Sequence, residues 1–146
     1  MMTEFLRVAL SLAAQAAAEG EIPVGCVIEK DGVIVGRGRN RREAEHTALG
    51  HAEIEAIAEA CRTLGEWRLS GCRLFVTLEP CPMCAGAILN ARISTVVFGA
   101  WDPKAGACGS VEDLCRGQFP HRPEVISGIL ERECEDILKD FFKTLR

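Results

Sequence analysis

The chain has 146 residues but no tyrosine, and its aromatic residues amount to only 5% of the total. The core must therefore be built from alanine, valine, isoleucine and leucine. No apolar run approaches the roughly 18 residues of a membrane span, so no membrane partner is expected. Linkers, repeats and low-complexity blocks are also lacking. Hydrophobic residues reach 48%, and one folded domain over residues 1–146 is predicted.

The beginning of the chain loosely resembles a secretory signal, because Arg7 is followed by an apolar stretch. However, Glu4 precedes that stretch and Ser11 interrupts it. Residues 4–19 instead predict an amphipathic helix that ends at Gly20, with Thr3 as a possible N-cap. We therefore expect the chain in a reducing cytoplasm, with its eight cysteines as thiols or metal ligands rather than disulfides.

Hydrophobic periodicity and turn residues predict an α/β protein. Asp31-Gly32 is a strong hairpin signal between two apolar stretches. A strand, helix and strand over residues 72–99 form a βαβ unit and hence a parallel pair. The sum is a three-layer α/β/α domain around a central mixed β-sheet. We predict strands at residues 24–30, 33–39, 72–78, 94–99 and 124–127, and helices at residues 51–64, 82–91, 111–115 and 129–143.

Two short motifs carry the chemistry, namely His51-Ala52-Glu53 and Pro80-Cys81-Pro82-Met83-Cys84. Catalytic zinc sites use three nitrogen or sulfur ligands and keep a fourth position for water. His51, Cys81 and Cys84 supply three such ligands, and Glu53 is a carboxylate that need not be one of them. The combination therefore indicates an enzyme that acts through a water molecule.

Helix geometry constrains how these groups meet. Residues 81 and 84 lie three apart at a predicted strand-to-helix junction, so both sulfurs can face one ion. Residues two apart on a regular helix point to nearly opposite sides. His51 and Glu53 can therefore share a pocket only if His51 lies at the very start of its helix. The positive end of the helix dipole also favours thiolate ligands.

Three other interpretations of the motifs remain open at this point. Cys81 and Cys84 are spaced like a redox pair of the thioredoxin kind. Alternatively, a closed structural zinc site would result if His46, Cys72 or Cys108 supplied a fourth ligand. Finally, Glu53 is also compatible with a solvated helix carboxylate like Glu55 and Glu59.

The order His-x-Glu and then Pro-Cys-x-x-Cys resembles that of zinc-dependent nucleobase deaminases. The chain resembles the cytidine/deoxycytidylate deaminase superfamily and, within it, the bacterial tRNA-specific adenosine deaminases. The resemblance runs nearly end to end and is carried by residues 22–25, 38–41, 50–54, 76–88, 97–100, 102–106, 109–110 and 140–142.

This resemblance implies one Zn2+ per subunit and hydrolysis of adenosine to inosine at the anticodon wobble position of tRNA. Glu53 would take a proton from the attacking water and deliver it to the ring nitrogen. A homodimer with active sites completed across the interface is also implied. The substrate contacts implied by the family are Asn40 and the backbone of Ala52 on the base, Ile22, Val24 and Pro80 in the pocket wall, and Asp102 and Lys104 near the flanking nucleotides.

The motifs alone do not choose the substrate, since the same chemistry serves free guanine, cytosine or cytidine. A non-catalytic zinc module that binds RNA is a second alternative. Two features favour a polynucleotide substrate. One is the arginine stretch, which consists of Arg37, Arg39, Arg41 and Arg42, although these residues are also compatible with a solvated strand end. The other is the terminal group Phe141, Phe142, Lys143 and Arg146, whose phenylalanines are also compatible with a buried pair that closes the core.

Overall fold

The computed structural model describes residues 1–145, so the predicted role of Arg146 lies outside the described part of the chain. Among the helices of residues 1–145, none has both the length and the hydrophobicity that a membrane span requires. In chain order, the described residues form α1 (Met2–Ala18), β1 (Gly25–Lys30), β2 (Val33–Arg39), α2 (Arg42–Glu45), α3 (Ala52–Leu64), β3 (Arg73–Leu78), α4 (Pro82–Asn90), β4 (Thr95–Ala100), a 3-10 helix (Leu114–Arg116), β5 (Glu124–Ile126) and α5 (Glu131–Thr144).

The strands form one mixed sheet in the order β2-β1-β3-β4-β5. β1 pairs antiparallel with β2 and β3, whereas β3, β4 and β5 run parallel. Asp31 and Gly32 join β1 to β2 with φ values of 52° and 84°. Two successive positive φ angles are the mark of a type I′ hairpin turn. The predicted α/β class, hairpin and parallel βαβ unit are therefore confirmed.

Helices cover both faces of the sheet. On one face, Leu6 and Ala9 of α1 pack against Val27, Phe75 and Val97 of the three central strands. The opposite face carries the larger core, to which α3 and α4 contribute alanines and one isoleucine. The three-layer arrangement is thus confirmed.

Small residues let α3 approach the sheet closely. A Cβ placed on Gly38 would lie 2.1 Å from the carbonyl oxygen of Ala52, and one on Gly36 would lie 2.3 Å from that of Ala56. Those distances are far inside van der Waals contact, so only glycine fits at either position.

One edge of the sheet is β2, and glutamates of α3 cover part of it. The Arg37 amide donates a hydrogen bond to Glu59 Oε1 at 2.8 Å, and the Arg39 amide donates one to Glu55 Oε1 at 3.3 Å. Both amides point away from β1 and would otherwise face solvent. Side chains of the helix therefore satisfy backbone donors of the edge strand.

Several boundaries differ from the prediction. Thr3 is not an N-cap, since α1 already begins at Met2 with Met1 at the cap. Met2 packs against the core together with Phe5, and the helix begins two residues before the predicted start. The predicted helix at residues 111–115 is wrong as placed, because the structure has a single 3-10 turn at Leu114–Arg116.

The short helix α2 was not predicted. Its amides at Glu43 and Ala44 donate to the carboxylate of Glu21, at 3.2 and 2.8 Å. This cap comes from more than twenty residues away, so no local pattern reveals it. At the other end of the chain, α5 starts at Glu131 rather than residue 129, because Leu130 has a left-handed backbone with a φ of 52°.

Candidate active site

Three potential ligands meet at one point. His51 Nδ1 lies 3.6 Å from Cys81 Sγ and 3.5 Å from Cys84 Sγ. Zinc bonds of about 2.3 Å to sulfur and 2.05 Å to nitrogen give a tetrahedral nitrogen–sulfur edge of about 3.6 Å. The observed distances match that edge, so the three residues fit a zinc ion.

Within the described residues, this group contains three ligands and no fourth. His46, Cys72 and Cys108, the candidates for a closed structural site, do not belong to it. A tetrahedral ion held by these three residues would keep one position for a small molecule such as water, as catalytic zinc does.

Two helix N-termini present the ligands. His51 is the N-cap of α3, with extended angles of φ −92° and ψ 147°. Cys81 is the N-cap of α4, also extended, and Pro82 follows in the first turn. The predicted position of His51 at a helix boundary is confirmed. Because His51 is not yet helical, its side chain and that of Glu53 reach the same pocket.

The thiols have strongly different acidities. The Cys84 thiol donates a hydrogen bond to Cys81, which together with His51 lowers the pKa of Cys81 to about 4. The same bond and burial raise the pKa of Cys84. His51 has a raised pKa, chiefly because of its hydrogen bond with Cys81. Stabilised thiolate character at Cys81 suits it to a soft cation.

Glu53 differs sharply from the other acids of α3. Its side chain is only 4% exposed, and burial raises its pKa to about 7. Glu55 and Glu59 are both only half-buried. The interpretation of Glu53 as a solvated helix carboxylate is therefore wrong. A buried carboxyl group with a pKa near neutrality is suited to accepting and returning a proton.

His51, Cys81 and Glu53 border a pocket of about 210 Å3, whereas Cys84 is fully buried and is not among its lining residues. Five predicted contact residues line it, but Pro80 and Lys104 are not among its described lining residues. Pro80 is buried and accepts a hydrogen bond from the Ala107 amide at 2.8 Å, whereas Lys104 is exposed. The lining residues are Ile22, Val24, Asn40, Arg42, His51, Ala52, Glu53, Leu78, Glu79, Cys81, Asp102 and Ala105.

Four lining residues had not been assigned to the pocket from the sequence, namely Arg42, Leu78, Glu79 and Ala105. A signal existed for Leu78 and Glu79, since they lie at the carboxyl end of a parallel strand. Ligands of α/β sheets commonly bind beyond that end. Arg42 and Ala105 lie on segments whose positions depend on distant contacts.

The side chain of Asn40 joins two segments of the pocket wall. Its Nδ2 donates to the Ile22 carbonyl at 3.3 Å, and its Oδ1 accepts from the Arg42 amide at 3.3 Å. Each amide atom retains a further hydrogen-bonding position. Asn40 can therefore hold the wall together and still contact a bound base.

The arginine stretch is partly neutralised. Arg39 forms a bidentate pair with Glu19 at 2.8 and 3.0 Å, and Arg41 lies 3.8 Å from Glu55. Among the four arginines only Arg42 lines the pocket. Two of the four arginines are therefore paired with glutamates, so the stretch is neither uniformly cationic nor simply solvated. Arg42 is the member best placed to contact a substrate.

The aromatic pair on α5 is only partly buried. Phe141 and Phe142 meet edge to face with ring centroids 5.5 Å apart. Phe142 is 44% exposed and borders a shallow depression with Leu138, Lys139 and Lys143. The alternative of a fully buried pair is wrong, and an aromatic ring remains accessible beside two lysines.

Residues 2–100 match the family model described as the cytidine and deoxycytidylate deaminase zinc-binding region. The tRNA-specific adenosine deaminase of Bacillus subtilis is 48% identical over 143 residues, which cover 97% of this chain and 89% of that protein. A solved structure from a study of A-to-I editing by tRNA:A34 deaminases superposes with a TM-score of 0.89 at 44% identity, covering 93% of this chain and 99% of the other.

A guanine deaminase from Bacillus subtilis is also similar, with 39% identity and a TM-score of 0.66 over 77% of this chain and 71% of that one. This chain is therefore similar in sequence to both kinds of deaminase, but the relative named for tRNA matches more of its length. The chain belongs to the cytidine and deoxycytidylate deaminase family, which is defined by its zinc-binding region.

Proposed function

We propose that residues 1–146 form one zinc-dependent deaminase domain that converts adenosine to inosine at the wobble position of a tRNA anticodon. The observation that carries this proposal is a three-ligand zinc group beside a small pocket that is lined by His51, Cys81 and the buried Glu53. The choice of adenosine in tRNA is supported by the two relatives named for that activity.

His51, Cys81 and Cys84 would hold one Zn2+ per subunit. When bound, zinc supplies a water molecule acidic enough to attack the base near neutral pH. Glu53 would accept a proton from the attacking water and deliver it to the ring nitrogen beside the reacting carbon. It would then move the proton of the new hydroxyl group to the amino group, so that the carbon–nitrogen bond breaks, ammonia leaves and inosine remains. Its buried position keeps bulk water from competing for the proton.

The pocket is smaller than the 300–1,000 Å3 typical of sites for whole ligands. It therefore suits a single base turned out of its strand, while the remainder of the RNA lies outside. Asn40 and the backbone of Ala52 would hold the base against Ile22 and Val24, whereas Pro80, which is buried outside the lining, would make no direct contact with it. Asp102 and Lys104 lie on the loop that would meet the flanking nucleotides.

An anticodon stem-loop with adenosine at the wobble position is expected to release ammonia in the presence of the zinc-loaded protein. Phosphate contacts should make its binding weaken as salt rises. The matched control is the same stem-loop with guanosine at that position. Binding of the adenosine stem-loop without ammonia release would favour a non-catalytic zinc module that binds RNA.

The second candidate is a deaminase of a free base, nucleoside or nucleotide. Similarity to the guanine deaminase of Bacillus subtilis favours guanine as the substrate. Including free guanine and cytidine in the ammonia assay separates the candidates. If the protein deaminates guanine or cytidine but not the stem-loop, the substrate is a free base or nucleoside rather than tRNA.

We also propose a cytoplasmic homodimer, because tRNA is a cytoplasmic substrate and α4 borders an apolar groove suited to a second copy. The groove has a volume of about 550 Å3, and its Phe119 is 56% exposed. Its apolar lining includes Ile54, Met83, Leu89, Leu114 and Phe119.

A Phe119→Asp variant is expected to sediment as a monomer where the wild type sediments as a dimer, since a buried unpaired charge opposes association. The control Val33→Asp alters another exposed apolar residue, at the start of β2, and should leave the dimer intact. A monomeric wild type, or equal effects of the two changes, would contradict this use of the groove.

A further inference from the structure

The carboxylate of Glu79 lies between the sheet and the loop after β4, here called the 102–110 loop. Its side chain is 2% exposed and accepts four hydrogen bonds. Oε1 accepts from the Asp102 amide at 3.0 Å and from the Ser110 hydroxyl. Oε2 accepts from the amides of Cys108 at 3.0 Å and Ser110 at 2.9 Å. One side chain therefore fixes both ends of the loop.

The middle of the 102–110 loop fits closely against the same group. A Cβ on Gly106 would fall 2.3–2.4 Å from the carboxyl atoms of Glu79. The loop also closes on itself, because the Gly106 amide donates to the Asp102 carbonyl at 2.9 Å. The backbone thus wraps around the carboxylate with no room for a larger residue at its tightest point.

This arrangement bears directly on the pocket. Asp102 and Ala105 of the loop line the pocket, and so does Glu79. The Glu79 amide is itself held by the Ala100 carbonyl at 2.9 Å, at the carboxyl ends of β3 and β4. Any movement of the loop away from Glu79 would therefore open one wall of the pocket.

Glu79 is unsuited to moving a proton itself. A carboxylate has about four lone-pair directions, and four donors already occupy them. Glu53, in contrast, is buried beside the ligands with a pKa near 7. Of the two glutamates that line the pocket, Glu53 is therefore suited to proton transfer and Glu79 to holding the loop.

We propose that Glu79 is a positioning residue that holds the 102–110 loop against the pocket, so that Asp102 and Ala105 are in place when the substrate binds. This inference rests on the proposed function, because the loop is taken to contact the nucleotides around the reacting base. Glu79 acts through the loop and contributes to substrate binding rather than to the chemical step.

The test is Glu79→Gln, which keeps the shape but offers one oxygen and one amino group. The carboxamide keeps most bonds if its oxygen takes the place of Oε2, toward Cys108 and Ser110. Its amino group then faces the Ser110 hydroxyl, which can rotate to accept, and the Asp102 amide, which cannot. We therefore expect release of the loop at Asp102 in particular.

The expected result is a KM for the stem-loop raised about tenfold, with kcat changed less than threefold and zinc content unchanged. Glu29→Gln is the matched control. Glu29 is also a buried carboxylate, 3% exposed, that accepts from a backbone amide, that of Gly32 at 3.2 Å. It lies at the far end of β1 and does not line the pocket. Its loss should lower stability without changing KM.

Amide hydrogen exchange supplies a readout that needs no substrate. In Glu79→Gln, exchange at Asp102 should accelerate at least tenfold while that at Cys108 stays nearly constant. Unchanged exchange at Asp102, loss of zinc, or a fall in kcat at constant KM would each overturn the proposal. Failure of the proposed function would instead appear as a wild type that does not deaminate the stem-loop, whatever the exchange shows.

Discussion

Glu53→Gln is expected to bind zinc as the wild type does and to deaminate about 10²–10⁴ times more slowly. The substitution conserves size but removes the group that accepts and returns a proton. Burial raises the pKa of Glu53 to about 7, so the wild-type carboxyl group exchanges protons readily near neutral pH. Ammonia release gives kcat, and metal analysis of the purified variant gives the zinc content.

The control is Glu55→Gln, two residues further along α3. Glu55 accepts a hydrogen bond from the Arg39 amide and lies outside the lining of the pocket. It should retain turnover within a few fold. Near-normal turnover by the Glu53→Gln variant would contradict an acid–base role for Glu53. Loss of zinc from that variant together with loss of turnover would indicate instead that Glu53 helps to hold the metal.

Gly38→Ala is expected to lower both stability and zinc affinity. The added methyl group would lie 2.1 Å from the Ala52 oxygen and 2.8 Å from the Ala56 nitrogen, which are backbone atoms that cannot rotate away. Overpacking of this kind costs about 1–3 kcal/mol. Because Ala52 stands between His51 and Glu53, the first turn of α3 would move and take both side chains with it. We expect zinc affinity to fall about 10–100-fold, as it does when the support of a metal ligand is lost.

Gly36→Ala provides the comparison. Its methyl group would meet the Ala56 oxygen at 2.3 Å, one turn further along α3 and away from the ligands. Thermal unfolding should show that both variants are destabilised, whereas zinc titration should separate them. Equal zinc affinities would mean that the position of His51 does not depend on the contact at Gly38.

Local patterns were sufficient for most of the fold. The turn at Asp31-Gly32 needs only two residues in the left-handed region, and the βαβ unit follows from alternating strand and helix periods. The boundary at His51 could be predicted because it depends on the geometry of two neighbouring side chains. Thr3 failed as a cap because the packing of Met2 against the core, a tertiary contact, extends the helix.

The remainder of the site depends on contacts between distant parts of the chain. Glu21 caps α2, and Glu79 accepts hydrogen bonds from the 102–110 loop, and in both cases the partners are more than twenty residues apart in the sequence. The positive charges of the arginine stretch are evident from the sequence. The sequence does not show, however, that Glu19 lies beside Arg39 and Glu55 beside Arg41. Metal ligands are easier to predict, since their chemistry restricts the residue types and their spacing.

The glutamates that cover β2 also limit how other chains can attach. A free sheet edge is a template on which a foreign strand adds, and many proteins must protect it. Here the amides of Arg37 and Arg39 already have carboxylate acceptors in Glu59 and Glu55. An incoming strand would have to displace both and would meet their negative charge. The glutamates therefore oppose fibril-like stacking and strand exchange at β2. Another protein that binds at this edge would have to do so through side chains rather than through backbone hydrogen bonds.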